Sequence, residues 1–295
     1  MKWIRKIAGM QSSILGINER NLGFIYPNNA RKNYKYADDK YLTKNILHSH
    51  QIACPLTYAM IDAIGKIEQA WQATCEWNEL VIKPSKGAGG KGIMILKKKN
   101  DQWFSQSKPV SEQDIFTHIA NIIFGIYSFG DSDVALIEEY IRPHDIFYQI
   151  FPEGVPDIRV ILLKGVPLMG MLRMPTSRSD GKANLHQGGL GIGIDMKTGR
   201  LKEAYDGEKH ITCHPDTKHP ITGLTLPHWD EIIRMSLKAA MKFPLHYLGV
   251  DLVIDQRKGP MVMELNVRPG LGIQLANREG LKDAIYRAKQ ENLLN

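Results

Sequence analysis

The sequence predicts an α+β protein of two lobes, and three observations carry that prediction. Helical and strand patterns mix in the first half of the chain, strand patterns dominate the second, and a glycine-rich loop at residues 85–92 sits between two short β-rich runs. Residues 1–38 are rich in Asn, Tyr and Lys without clear periodicity, which predicts an extended arm with little regular structure. From Asp39 a helical spacing runs through Tyr41, Leu42, Ile46 and Leu47, and a second helical pattern covers residues 58–74. The period then changes. Residues 79–84 and 92–96 read as strands on either side of the loop, 111–127 as a helix and 134–141 as a strand. Residues 157–163 and 166–174 read as a hairpin about Lys164-Gly165, followed by a strand at 190–194. Ile232, Ile233, Ser236, Leu237 and Ala240 predict a helix over 229–241, and residues 249–255 and 261–267 a second hairpin turning over 256–259.

The 295 residues, 43% apolar and 23% charged, suffice for one large core or two modest ones. No run reaches the roughly 18 to 20 apolar residues of a membrane helix, because the most apolar region carries Arg159, Lys164 and Arg173. The basic start is interrupted by Gln11, Ser12, Ser13, Asn18 and Glu19, so it fails as a signal peptide and a cytoplasmic location is expected. Cys54, Cys75 and Cys213 are too few and too scattered for a disulfide framework or a zinc half-site. The net charge is +7, yet residues 1–44 alone hold nine Lys and Arg against Glu19, Asp38 and Asp39, a balance of +6. The rest is near neutral, which excludes a basic groove for nucleic acid and makes the arm a docking or solvated segment, not a catalytic one. His48, His50, His210, His214, His219 and His228 lack Cys or carboxylates at ligand spacing and read as surface residues.

Gly87, Gly89 and Gly92 match GxGxxG, but a strand follows where a dinucleotide fingerprint needs a helix, and no Ser or Thr follows Gly90-Lys91 as a P-loop requires. A glycine loop between antiparallel strands can still fold over phosphates, because backbone N–H groups without Cβ atoms approach the oxygens closely. Lys83 lies on the strand before it; a bare mobile hairpin is the alternative. In the last hairpin a four-residue turn pairs Asp255 with Pro260 and so sets Asp251 opposite Glu264, with Asn266 one diagonal away. Two carboxylates facing each other repel unless a cation lies between them, and an oxygen-only set suits Mg²⁺. On this reading Asp251→Asn relieves repulsion, so stability without metal should hold or rise. Asp157 opposes Arg173 if the first hairpin has a three-residue turn but not a two-residue one, so that register stays open. Residues 182–189, polar and glycine-rich, fit an ordinary loop as well as a substrate loop.

In order, Lys40, Lys83 with its glycine loop, Glu138-Glu139-Tyr140-Ile141, Asp157-Ile158-Arg159, Asn184-Leu185-His186, Gly249-Val250-Asp251 and Glu264-Leu265-Asn266 resemble the ATP-grasp superfamily over roughly residues 39–280. The likeness is strongest to alpha-L-glutamate ligases that modify ribosomal protein and to the glutamate-ligase-like ATP-grasp proteins associated with sugar transfer. The resemblance implies an ATP-grasp fold, two α+β lobes gripping ATP between them, with the short arm 1–38 in place of a full preceding domain. The smaller lobe would span 39–138 and carry the lid; the larger, 139–295, would carry the Mg site. It implies that Lys40 and Lys83 contact ATP phosphates under a lid formed by Ser85, Gly87, Gly89, Gly90 and Gly92. Glu139, Tyr140 and Ile141 would bind adenine at the hinge, with Asp157 and Lys182 as further nucleotide contacts. Asp251, Glu264 and Asn266 would hold one or two Mg²⁺ ions, replaceable by Mn²⁺. Arg159, Arg173, Asn184 and Arg268 would face the transferred phosphoryl and the acyl group.

The implied activity is a carbon–nitrogen ligase. A carboxylate, with glutamate a plausible substrate, is activated as an acylphosphate and captured by an amine on a peptide, a protein or a sugar. Partners are then ATP, an amino acid or other carboxylate, and the amine acceptor, with no nucleic acid, no membrane span and an open oligomeric state. Two other classes remain: an idle ATP-binding module acting as sensor or scaffold, and a kinase-like phosphotransferase.

Overall fold

The computed structural model describes residues 13–87, 89–105 and 107–294, so residues 1–12 of the predicted arm and Ala88 of the loop lie outside it. The chain divides into two compact units. The smaller comprises residues 39–44 and 54–141, and the larger comprises residues up to 38, 45–53 and 142 onward.

The smaller unit is an antiparallel sheet in the order β1-β6-β2-β3-β4-β5. Its strands are β1 (Thr57–Ile61), β2 (Glu79–Pro84), β3 (Met94–Lys99), β4 (Gln102–Ser105), β5 (Lys108–Val110) and β6 (Ala135–Glu139). Alternation sends Leu80 and Ile82 of β2 and Ala135 and Ile137 of β6 to one face. There the apolar stripes of helices Ile67–Thr74 and Glu112–Ile123 cover them through Ile67, Trp71, Ile115, Ile119 and Ile122. The second helix begins with a reciprocal cap. The Ser111 hydroxyl accepts from the Asp114 N–H, and the Asp114 carboxylate accepts from the Ser111 N–H at 2.8 Å. Alternation leaves Lys83 and Glu138 for the opposite face.

The larger unit is a second antiparallel sheet, β11-β10-β9-β8-β7-β12-β13. It is built from β7 (Asp157–Leu163), β8 (Val166–Met174), β9 (Leu190–Ile194), β10 (Leu201–Tyr205), β11 (His210–Ile211), β12 (Tyr247–Asp255) and β13 (Gly259–Asn266). Helix Trp229–Ala240 packs on β7, β8, β12 and β13, and helices Ile273–Asn277 and Leu281–Gln290 pack on β8 to β10. No helix among the described residues is long and apolar enough to cross a membrane.

Both predicted hairpins form, and each contains an irregularity that matters. Lys164-Gly165 makes a two-residue turn with both residues at positive φ, Leu163 facing Val166, but a shift between Ile161 and Leu162 inserts one residue and brings Asp157 opposite Arg173. In β12–β13 the turn is three residues, Asp255 facing Gly259, instead of the predicted four. A register shift between Asp251 and Leu252 then restores Asp251 opposite Glu264. The two departures cancel.

Other expectations need correction. Residues 58–74 are not one helix: Thr57–Ile61 pairs with β6, and the helix starts at Ile67. The β-prone run there gains more from ladder bonds than from helix propensity. Residues 13–38 are not an extended arm: 17–28 form one continuous helical stretch and shorter turns follow to Asp38, all packed into the larger unit with Leu15 and Ile25 buried. Asn29 accepts from His246 N at 2.8 Å and donates to Tyr247 O at 2.6 Å, and Gln274 brackets Leu15 through its N–H and C=O. The π turn at Asn21–Ile25 in the middle of the 17–28 run breaks the 3.6-residue spacing, so no single helical period shows. His214 is not a surface residue either: it is fully buried, stacked on Phe151 and bonded to Pro175 O.

Candidate active site

The solvent-side pair of the smaller sheet becomes a buried charge cluster. Glu138 Oε2 accepts from Lys83 Nζ at 2.7 Å and from Lys44 Nζ at 2.6 Å, and all three side chains are under 8% exposed. Lys44, from helix Lys40–Ser49, also donates to Pro55 O at 3.2 Å. Burial lowers Lys44 to about 8, with the Lys83 charge adding to the fall and Glu138 opposing it. Burial alone would raise Glu138, but the two lysines overcome it and hold the carboxyl below its usual range. Glu138 Oε1 has no hydrogen-bond partner among the described residues. One carboxylate between two ammonium groups leaves a buried positive surplus, which a polyanion would neutralise.

The glycine loop is held at both ends. Lys86 N–H donates to both Asp133 oxygens at 3.1 and 3.0 Å, and His118 Nε2 lies 2.9 Å from Gly92 O. Gly92 has φ +75°, and a Cβ there would come within 2.6 Å of the Tyr127 ring, so that position tolerates only glycine without rearrangement. Lys40 Nζ donates to Ser85 O at 3.2 Å and Gly87 O at 2.6 Å, which places it at the loop's base. Lys44, one turn on, stands beside Lys83. At the end of β6, Glu139 exchanges contacts with Leu56, Lys97 Nζ lies 4.4 Å over the Tyr140 ring, and Ile141 is buried.

In the larger unit Asp251 sits between Arg159 of β7 and Glu264 of β13, its partners on either side in the ladder. Arg159 donates through Nε and Nη2 at 2.7 and 2.5 Å, and Arg173 Nη2 adds a bond of 2.6 Å. Arg173 also donates to both Asp157 oxygens at 2.5 Å. Burial would raise Asp251, but the two guanidiniums hold it down to about 2. Asp157 moves the other way, pushed up by burial and by the Asp251 charge against the pull of Arg173. Asp251 thus has its counter-charge on the side away from Glu264, in two arginines that the sequence alone did not place there.

Asn266 Nδ2 donates to Asp251 Oδ2 at 3.0 Å and reaches Glu264 Oε1 at 3.4 Å, so two carboxylates and an amide converge on one point. Glu264 pairs with no Lys or Arg among the described residues, and no cluster of three His, Cys, Asp or Glu offers a metal site among them. The oxygen-only set fits a hard divalent cation that keeps waters or substrate oxygens as its other ligands. Asn184, Lys182 and Arg268 are not in the Asp251 cluster. Asn184 Oδ1 accepts from His186 N at 3.0 Å, Lys182 Nζ lies 4.0 Å from Asp180, and Arg268 lies over the Tyr34 ring at 5.4 Å.

Sequence reasoning missed Lys44 and the role of Glu138. The Glu138-Glu139 doublet held part of the signal, since alternation lets only one of the two share a face with Lys83, but choosing between them requires the β2–β6 register.

Two antiparallel α+β units, one with a glycine-rich loop and one with a carboxylate-arginine hairpin, define an ATP-grasp protein. The chain belongs to the sugar-transfer associated ATP-grasp family, which matches it over residues 19–290. Similar solved structures include D-alanyl-alanine synthetase A from Vibrio cholerae, at 13% identity and TM-score 0.50, covering 87% of this chain and 64% of that one. A RiPP-associated ATP-grasp ligase from Chryseobacterium gregarium, in complex with ADP and a leader and core peptide, is similar at 12% identity and TM-score 0.50, covering 89% of this chain and 63% of that one. A D-cycloserine synthetase matches at 16% identity and TM-score 0.47, over 86% and 70%. The chain thus spans somewhat under two thirds of the first two structures. No curated protein matches the sequence.

Proposed function

We propose that this protein is an ATP- and Mg²⁺-dependent ligase that joins a carboxylate to an amine through an acylphosphate. The observation that carries this reading is the Asp251 cluster. Arg159, Arg173, Glu264 and Asn266 surround one buried carboxylate with the fixed positive charge and oxygen ligands that phosphoryl transfer demands. Lys83 and Lys44 bind phosphate oxygens, Lys40 steadies the base of the lid, and Glu139, Tyr140 and Ile141 meet the adenine. Asp157 and Lys182 serve the nucleotide, while Arg159, Arg173, Asn184 and Arg268 serve the phosphoryl and acyl groups. Asp251, Glu264 and Asn266 would hold the Mg²⁺, whose contribution is to neutralise charge on the transferring phosphoryl. The substrate carboxylate attacks the γ-phosphorus as the bond to ADP breaks; the amine then attacks the acyl carbon, phosphate leaves, and an amide remains. Glutamate is a fitting carboxylate, and a peptide, protein or sugar-linked amine a fitting acceptor.

A second reading, an ATP-binding module without turnover, is favoured by one fact: both Asp251 oxygens are already engaged by guanidiniums. ADP formation separates the two. Under the ligase reading, one or a few amino acids raise ADP release at least about tenfold, and mass analysis finds an acceptor heavier by one amide-linked residue. ATP returned intact with every amino acid and acceptor tried would leave the binding module; a phosphorylated acceptor without a new amide would indicate a kinase.

The lid reading has its own test. Lys86 and Lys91 offer tryptic sites in the loop, and Mg-ATP is expected to slow cutting there several-fold as the loop closes. Equal cutting with and without nucleotide would count against a lid.

A further inference from the structure

Arg20 is a buried charge without a counter-ion among the described residues. At 7% exposure, its Nη1 donates to Pro269 O at 2.9 Å and its Nε and Nη2 donate to Asn21 Oδ1 at 3.2 and 3.0 Å, all neutral acceptors. Of the five N–H donors a guanidinium carries, two are left without a partner among the described residues. Burying an ionised group in this state is costly, and its pKa is lowered by that burial and by the neighbouring charge of Arg268. Arg268 adjoins Pro269, is exposed, lies over the Tyr34 ring and pairs with no carboxylate among the described residues. A third polar group is also unsatisfied. The Tyr247 hydroxyl is buried with no partner, its ring 6.1 Å from that of Phe24, one turn on from Arg20. The segment 268–270 leads from this place to the Asp251 cluster, since a Cβ on Gly270 would lie 3.7 Å from Arg159 Nη1.

We propose that Arg20 and Arg268 form an oxyanion site that takes a second anionic group of the substrate, a carboxylate or a phosphate, at the segment 268–270 that reaches Arg159. Arg268 directly precedes the Pro269 whose carbonyl Arg20 holds; two like charges with no counter-charge among the described residues favour an anion near them, and a planar guanidinium fork matches either oxyanion. A staple for Pro269 alone would need one N–H of Arg20 and would explain neither the missing counter-charge nor the second arginine. That the anion belongs to a substrate rests on the ligase reading; the site itself does not.

The test is therefore a binding measurement. Thermal unfolding of the full chain is followed in glutarate, in inorganic phosphate, and in sodium chloride at equal ionic strength. One of the two oxyanions is expected to raise the midpoint by about 3 °C over chloride at ten times its Kd, and the larger shift identifies the group. Arg20→Gln should lose that shift while keeping the shift given by Mg-ADP; if Arg20→Gln fails to fold, Arg20→Lys, which keeps the charge and loses the planar fork, carries the test. No shift over chloride in the wild-type chain, or full shifts in the variants, overturns the proposal. So does a loss that extends equally to Mg-ADP, which marks a structural role. Because ADP formation is not read, failure of the ligase reading would leave this result standing.

Discussion

Asp251→Asn is expected to lower turnover by about a thousandfold or more and, contrary to the sequence-based expectation, to destabilise the folded chain. The rate effect follows from the proposed loss of a metal ligand and of the charge that orients Arg159, at about 1.4 kcal/mol per tenfold. The stability effect follows from pairing. Repulsion with Glu264 is not the dominant interaction of Asp251; its bonds to Arg159 and Arg173 are, and neutralising it leaves two largely buried guanidiniums short of charge. Removing one partner of a buried pair costs about 3–5 kcal/mol, and because the amide keeps one acceptor oxygen and Asp157 still serves Arg173, a value of about 3 is expected. The pH dependence has a definite sign. Asp251 titrates at about 2 in the folded chain, below its unfolded value, so its contribution is present at neutral pH and fades as pH falls from about 4 towards 2. Urea unfolding at pH 7 and pH 3 should show a variant deficit that narrows in acid. An undiminished midpoint at pH 7 would contradict the pairing account, and a wild-type rate across a magnesium titration would remove these residues from the metal site.

Glu138→Gln should cost about 3–5 kcal/mol at pH 7, because it leaves Lys44 and Lys83 buried together with no negative partner. Lys44 then gives up its proton more readily still. In the wild-type chain its folded pKa, about 8, lies below the unfolded 10.5, so between those values the unfolded chain binds more protons and this contribution to stability rises with pH. In the variant the folded value is lower, the rise begins earlier and is larger, and the deficit should shrink from pH 7 to pH 10. Any opposing effect of Tyr247, whose pKa burial raises, is shared by both proteins and drops out of the difference. Urea unfolding of both proteins over that range checks it; a deficit that stays constant or widens would show that Lys44 is not the group being relieved.

How much of the site could be read in advance differs between its two halves. Asp251 opposite Glu264 was legible because a hairpin of adjacent segments has few registers, although the predicted turn and the unforeseen bulge erred in opposite directions. Arg159 beside Asp251 was not, since β7 and β12 are separated by more than eighty residues and nothing local specifies that they are neighbours. Shorter but still non-local separations hid Lys44, Lys83 and Glu138, which come from a helix and two strands that meet only when the smaller sheet is assembled.

What residue order determines in this protein is local: the hairpins, the glycine loop, the capped helix Glu112–Ile123 and the alternation that assigns each strand residue to a face. Those follow from φ/ψ preference and side-chain period, which act over a few residues. Charge balance is a property of assembly. The sequence offered two carboxylates in want of a cation, and β7 and β8 supplied Arg159 and Arg173. It offered a basic N-terminal segment that read as a docking or solvated arm, and tertiary packing buried Arg20 against Pro269, paired with no acid among the described residues. Whether a charge is solvated, paired or left waiting for a ligand depends on desolvation and on neighbours brought from across the chain, and neither is a function of sequence separation.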